Sequence, residues 1–226
     1  MNRFRATQEP TDVFGLKFRP TINPASDAQD WLEYGWFDGK PVSMNHKHQR
    51  IVHEFSDNDK SVLSGVINEL KSNNSFNAVL EIGVFRSGEW SSTKVILENK
   101  PLLAKYIGVD LNEGCLSPVR DSGRNIFCLC QNSSSIDEIM WFANNVGISG
   151  FDLVLIDGNH SINQVMDDWR FAKHLNKGGY VVFHDLNFHA GPRCVFEAID
   201  ETLFEKKDWL PDEEFDWGIG TAKKLV

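Results

Sequence analysis

Val79-Leu80-Glu81-Ile82-Gly83-Val84-Phe85-Arg86-Ser87-Gly88 reads as an apolar strand ending in an acid, a turn with glycine at both ends, and the start of a helix. Gly83 and Gly88 remove the side chains that would keep a ligand off the backbone of that turn. Around it, short apolar runs alternate with amphipathic stretches. Ala78 to Ile82, Tyr106 to Val109, Ile126 to Cys130, Phe151 to Ile156 and Tyr180 to Phe183 read as strands buried on both faces. Between them, Ile136, Ile139, Met140, Ala143 and Val146 form one helical stripe behind a capping-box-like Ser134 and Asp137, and Val165, Trp169, Ala172 and Leu175 form another. Such alternation predicts right-handed crossovers and a doubly wound, mostly parallel α/β sheet, with a ligand at the carboxyl ends of the strands.

The flanks add less regular pieces. Residues 1–55 mix Pro10, Pro20, Pro24 and Pro41 with Trp31, Tyr34, Trp36 and Phe37, and read as an aromatic extension packed on the domain, with Asn45 to His48 as a candidate substrate lid. The domain itself is expected over 56–226, opening with a helix that carries Val62, Val66, Ile67 and Leu70 after the cap candidates Asp57 and Asp59. After Asp185, a helix with Val195, Phe196, Ile199 and Leu203 leads to Phe215-Asp216-Trp217 and 219–226, read as a hairpin that adds one antiparallel edge strand.

At 226 residues the chain suits one α/β domain and one active site. Its 23 Lys+Arg against 32 Asp+Glu give a net charge of -9, which disfavours nucleic acid and anionic membranes as partners. Cys115, Cys128, Cys130 and Cys194 form no CxxC pair, and reduced thiols are expected. With neither a signal peptide nor a membrane span in the sequence, a cytoplasmic location is expected. Oligomeric state stays open, a homo-oligomer included.

The turn after Ile82 lacks the G-x-G-x-x-G spacing that brings a pyrophosphate to a helix amino terminus. Glu81 would repel pyrophosphate but suits the cationic amino group and sulfonium of S-adenosylmethionine, the preferred cofactor on this reading. Asp110 closes the next strand, where a carboxylate can accept from vicinal ribose hydroxyls. The third strand runs into Asn132 and Ser133, with the Asn132 oxygen a candidate acceptor for the adenine amino group and a plain turn and helix cap the competing interpretation. Glu81, Gly83, Ser87, Gly88, Asp110, Asn132 and Ser133 are therefore the candidate cofactor residues. A nicotinamide-dependent oxidoreductase and a non-catalytic binding domain are the alternatives.

The order of these motifs resembles the class I methyltransferases, specifically the family that groups cephalosporin-hydroxylase-like proteins with macrolide-sugar O-methyltransferases. The resemblance rests on Leu80-Glu81-Ile82-Gly83 with Ser87-Gly88, Gly108-Val109-Asp110, Leu155 to His160, and Gly178-Gly179 through His184-Asp185. It implies a seven-stranded Rossmann-like sheet and methyl transfer from S-adenosylmethionine. Ser87 stands where that family often has glycine, and Asn132 where it often has aspartate.

Asp157 and Asp185 close the fourth and fifth strands, so their carboxylates are expected side by side next to the cofactor methyl. Two hard oxygen ligands suggest a divalent cation, Mg2+ first, and the resemblance implies a metal at that position. His184 replaces an acidic residue common in the family; as a ligand it softens the site toward Mn2+ or another transition ion, and a core histidine is the other reading. His160, three residues past Asp157, suits proton removal from a bound hydroxyl, a role that the resemblance also implies. The expected acceptor is a small hydroxylated molecule, a sugar or other vicinal diol. His189, Arg193 and the trio His46, His48 and His53 read as surface or packing residues.

Overall fold

The structure, a computed structural model, describes residues 7–21, 34–37, 40–43, 55–85, 88, 91–187, 189–209 and 216–226. Two short antiparallel hairpins come first: β1 (Thr7–Glu9) with β2 (Arg19–Thr21), and β3 (Tyr34–Phe37) with β4 (Lys40–Ser43). The main sheet holds β5 (Ala78–Ile82), β6 (Lys105–Asp110), β7 (Ile126–Cys130), β8 (Phe151–Ile156), β9 (Leu175–Phe183), β10 (Phe204–Trp209) and β11 (Ile219–Lys224). Their spatial order is β10-β11-β9-β8-β5-β6-β7, parallel from β9 to β7 and antiparallel where β11 meets β9 and β10. This is the doubly wound, mostly parallel sheet that the strand pattern predicts, with the seven strands that the resemblance implies.

The period of two along each strand sorts side chains onto two buried layers. Val79, Leu153, Leu155 and Val182 pack with α1 (Asp57–Ser72), α2 (Ser92–Asn99) and α3 (Glu113–Arg120). Leu80, Ile82, Val154, Ile156 and Phe183 face α4 (Ile136–Asn145), α5 (Ile162–Trp169) and α6 (Ala190–Ala198). Full burial of each such side chain contributes about 1.5–3 kcal/mol, so strand positions cannot slip by one residue without inverting both layers.

Several local expectations are corrected. Ser56, not Asp57 or Asp59, caps α1, with Asp59 at N3 completing a capping box. Ser134 does not cap α4: its hydroxyl donates to Asn132, and the N-cap Ser135 makes no side-chain cap bond. Between β6 and β7, Asn112 accepts from Gly114 N and caps α3, which tolerates Pro118. The α5 stripe gives way to a 3-10 turn (Arg170–His174), and Leu175 already belongs to β9. The last helix stops at Ala198, so Leu203 lies outside it; Phe204 to Trp209 is a strand, and β11 lies inside the sheet with β10 as its edge. β7, an edge strand, is only half-buried.

In the amino-terminal segment, Lys17 N donates to Ala198 O, Asp200 N to Gly15 O, and Trp169 Nε1 to Phe14 O, while Leu16 is buried. The lid candidate Asn45 to His48, with Pro24, Trp31 and His53, lies outside the described residues. All four cysteines are free thiols. No helix among the described residues is long and apolar enough to cross a membrane.

Candidate active site

A cleft of about 420 Å3 opens at the carboxyl ends of β5, β6, β7 and β8, lined by Gly83, Asp110, Asn132, Ser133, Asp157 and Gln164 among others. Its size suits a small molecule or nucleotide-like cofactor. A larger groove of about 650 Å3 runs beside edge strand β7 and α4, past Cys128, Trp141 and Phe142. Its acids Asp137 and Glu138 belong to the first turn of α4, whereas the smaller cleft joins the glycine turn at Gly83 to the strand-end acids Asp110 and Asp157, so the chemistry is assigned to the smaller cleft.

Glu81 does not reach that cleft. It is fully buried, its Oε1 accepts from Ser92 Oγ at 2.5 Å, and its Oε2 accepts from the Tyr106 hydroxyl. Burial pushes its pKa up to about 7 against the pull of those donors. The expected contact with a sulfonium is therefore replaced by a structural role, tying β5 to β6 and to α2. Gly83 (φ +85°) is also more constrained than a ligand requires, because an added Cβ would lie 2.0 Å from Asp157 O. Gly88 (φ +60°) has open space around its Cα, and Ser87 lies outside the described residues.

Asp110 lines the cleft, with Oδ2 accepting from Val84 N at 2.9 Å and Oδ1 from Asn112 N at 2.7 Å. An ionised carboxylate has about four acceptor positions, so capacity for two ribose hydroxyls remains. The Asn132 oxygen differs: it already accepts from Ser134 N and Ser134 Oγ, both at 3.0 Å, which uses its two lone pairs. The expected adenine acceptor is thus occupied by the turn. Ser133 is buried and its hydroxyl accepts from Gln164 Nε2 at 2.9 Å. Gln164 also donates to Asp168, whose pKa burial raises to about 6.

Where β8 and β9 end, Asp157 and Asp185 meet through His184. His184 Nδ1 is 3.1 Å from Asp157 Oδ1 and 3.4 Å from Asp185 Oδ2. On the other side, His184 Nε2 is 3.2 Å from Asp59 Oδ2 on α1. Burial works against its charge, but the carboxylates of Asp185 and Asp157 outweigh it and hold its pKa well above the usual histidine value. Asp185 resists burial through His184 and His160 and stays well below the carboxylate range, whereas burial raises Asp157. Asp185 adopts φ +64°, backbone strain of the kind concentrated at functional sites.

His160 Nε2 lies 2.7 Å from Asp185 Oδ2, yet is buried without hydrogen-bond geometry to any group. Burial lowers its pKa, but Asp185 and then Asp157 overcome this and raise it. Its ring stacks on His189 (centroids 3.9 Å, 16°), which stacks in turn near Trp217 (6.1 Å, 7°). Asp157, His184 and Asp185 offer ligand atoms that all lie within 4.8 Å of one another, as do His160, Asp185 and His189. Four carboxylates, those of Asp59, Asp157, Asp185 and Asp216, share this region with His160 and His184. Such an excess of acid fits a bound cation.

The sequence reading missed Asp59, Tyr106, Asp168, His189 and Trp217. Asp59 carried only a capping signal, and the partners of Tyr106, His189 and Trp217 lie in distant segments.

Comparison with known proteins agrees with this layout. Residues 80–186 match the model of a methyltransferase domain family. The match spans just under half of the chain. Its fold is shared with an O-methyltransferase from Bacillus cereus in complex with S-adenosylhomocysteine (14% identity, TM-score 0.53, covering 80% of this chain and 86% of that one). It is shared too with the O-methyltransferase TomG of Streptomyces achromogenes in complex with S-adenosylmethionine (14%, 0.53, 74% and 80%). An rRNA methylase of Streptococcus thermophilus is also similar (12%, 0.51, 74% and 94%), so the methyltransferase fold by itself leaves the acceptor open. An uncharacterized protein of Acanthamoeba polyphaga mimivirus is 26% identical over 134 residues, 55% of this chain, and the match spans 58% of that relative's length.

Proposed function

We propose that this methyltransferase transfers the methyl group of S-adenosylmethionine to a hydroxyl of a small hydroxylated acceptor, a sugar or other vicinal diol, with the help of a divalent cation. The observation that carries the reading is Asp157, which lines the cofactor-sized cleft and also belongs to the His184–Asp185–His160 cluster. Cofactor binding and acid-base chemistry thereby share one wall.

Asp110 accepts from the ribose hydroxyls and fixes the cofactor in the cleft. Asp157, Asp185 and His184 would hold the cation, which supplies Lewis acidity to the acceptor oxygens. His160 takes the proton of the reacting hydroxyl on its ring, and Asp185, 2.7 Å from Nε2, stabilises the resulting imidazolium. The acceptor oxygen then forms the new bond to the methyl carbon as the carbon–sulfur bond breaks. S-adenosylhomocysteine leaves neutral at sulfur, and the proton passes from His160 to solvent.

Calorimetry with S-adenosylhomocysteine and NAD tests the cofactor. The first should bind and the second should not, and Asp110→Ala should lower S-adenosylhomocysteine affinity by about 1.5–3 kcal/mol. With a competent diol acceptor, His160→Ala should slow transfer by about 10² to 10⁴ while leaving cofactor affinity nearly intact. Tight NAD binding without S-adenosylhomocysteine binding would return the oxidoreductase reading.

A further inference from the structure

Asp59 belongs to α1, outside the matched domain segment, and plays no part in the reaction described above. It is fully buried. Its Oδ2 accepts from Ser56 N at 2.9 Å and faces His184 Nε2 at 3.2 Å, while its Oδ1 has no hydrogen-bond partner. A carboxylate can only accept, so Nε2 donates to Asp59, and a cation that displaces the ring's other proton would claim Nδ1. That atom is 3.1 Å from Asp157 Oδ1 and 3.4 Å from Asp185 Oδ2. Ligands about 2.1 Å from one ion and at right angles to each other stand roughly 3 Å apart, so His184 Nδ1 is spaced from each of the two carboxylates to share an ion with it.

We propose that Asp59 is a positioning residue that orients His184 as a nitrogen ligand, making the site select a transition ion such as Mn2+ or Co2+ over Mg2+. The inference rests on the reading of a divalent cation at Asp157 and Asp185. A carboxylate behind a ligating imidazole fixes its ring orientation and raises its basicity. Imidazole nitrogen rewards transition ions, whereas Mg2+ prefers oxygen donors and keeps its waters. Replacing an oxygen ligand with this supported nitrogen therefore moves the preference in one direction.

The test uses the full chain stripped with EDTA, then dialysed against Co2+, Mn2+ or Mg2+ with bound metal counted and the Co2+ visible bands recorded. Co2+ and Mn2+ should bind at least about 10-fold more tightly than Mg2+. Asp59→Asn, which keeps an oxygen for the Ser56 N–H, should weaken Co2+ binding by about 10- to 100-fold, shift its bands and leave Mg2+ binding unchanged. Asp57→Asn removes an exposed acid from the same first turn, paired only with Lys60 among the described contacts, and should keep the wild-type Co2+ affinity. His184→Glu should reverse the preference toward Mg2+, a readout that stands even where an Asp59 variant misfolds. Wild-type protein that binds Mg2+ as tightly as Co2+, or Asp59→Asn protein with unaltered Co2+ affinity and spectrum, overturns the proposal. Failure of the wild type to bind any of the three ions overturns the cation reading along with it.

Discussion

Glu81 illustrates how burial reassigns a residue. Both of its oxygens accept from protein hydroxyls, and its pKa of about 7 means that folding takes up a proton that the unfolded chain, near 4.5, releases sooner. A raised folded pKa places this stabilisation below pH 4.5 and removes it progressively as pH rises through 7. Glu81→Gln should therefore flatten the fall in unfolding free energy between pH 4.5 and 7, by up to roughly 3 kcal/mol, measured by urea titration at several pH values. Unchanged pH dependence would assign the buried proton elsewhere. His160 and Asp185 differ in that each favours the other's charged form, which holds them as an ion pair.

At the level of elements, the turn after β5 and the end of β8 are built as one piece. Gly83 N donates to Val109 O, Asp157 N donates to Ile82 O, and the space for a Gly83 side chain is filled by the Asp157 carbonyl. Gly83→Ala should combine left-handed backbone strain with a clash against main chain. The expected outcome is a loss of more than about 2 kcal/mol in thermal unfolding, together with weaker S-adenosylhomocysteine binding as Asp157 shifts. Gly88→Ala, with the same handedness but open surroundings, should cost only about 1–2 kcal/mol. Equal costs for the two variants would show that the contact with Asp157 is unimportant.

For the molecule as a whole, residues 13–18 act as a clasp across the far side of the sheet. Leu16 pairs with Ile199, and Phe14 meets Phe204 edge-on while its carbonyl accepts from Trp169. The clasp contacts α6 and the start of β10 and is absent from the lining of the cofactor cleft. Leu16→Ala should cost about 2 kcal/mol, lowering Tm by about 4–8 °C in a domain of this size, with S-adenosylhomocysteine affinity unchanged. A matching loss of cofactor affinity would couple the clasp to the site.

Strand and helix alternation, the glycine turn and the acids closing β6, β8 and β9 were legible in the sequence, because each rests on periodicity or backbone chemistry within a few residues. The doubly wound sheet follows from those signals through the handedness of crossovers. Partner choice across the chain was not legible. His184 faces Asp59 across 125 positions, and Glu81 spends its oxygens on Tyr106 and Ser92 rather than on a ligand. The same holds for β11, which slips between β9 and β10 where the local pattern suggested an edge. Asp59 and Glu81 look like an ordinary cap and an ordinary cofactor acid because local chemistry says nothing about which buried group they will meet. Only the packed structure sets the distances and burial that turn one into a support for His184 and the other into a buried proton carrier.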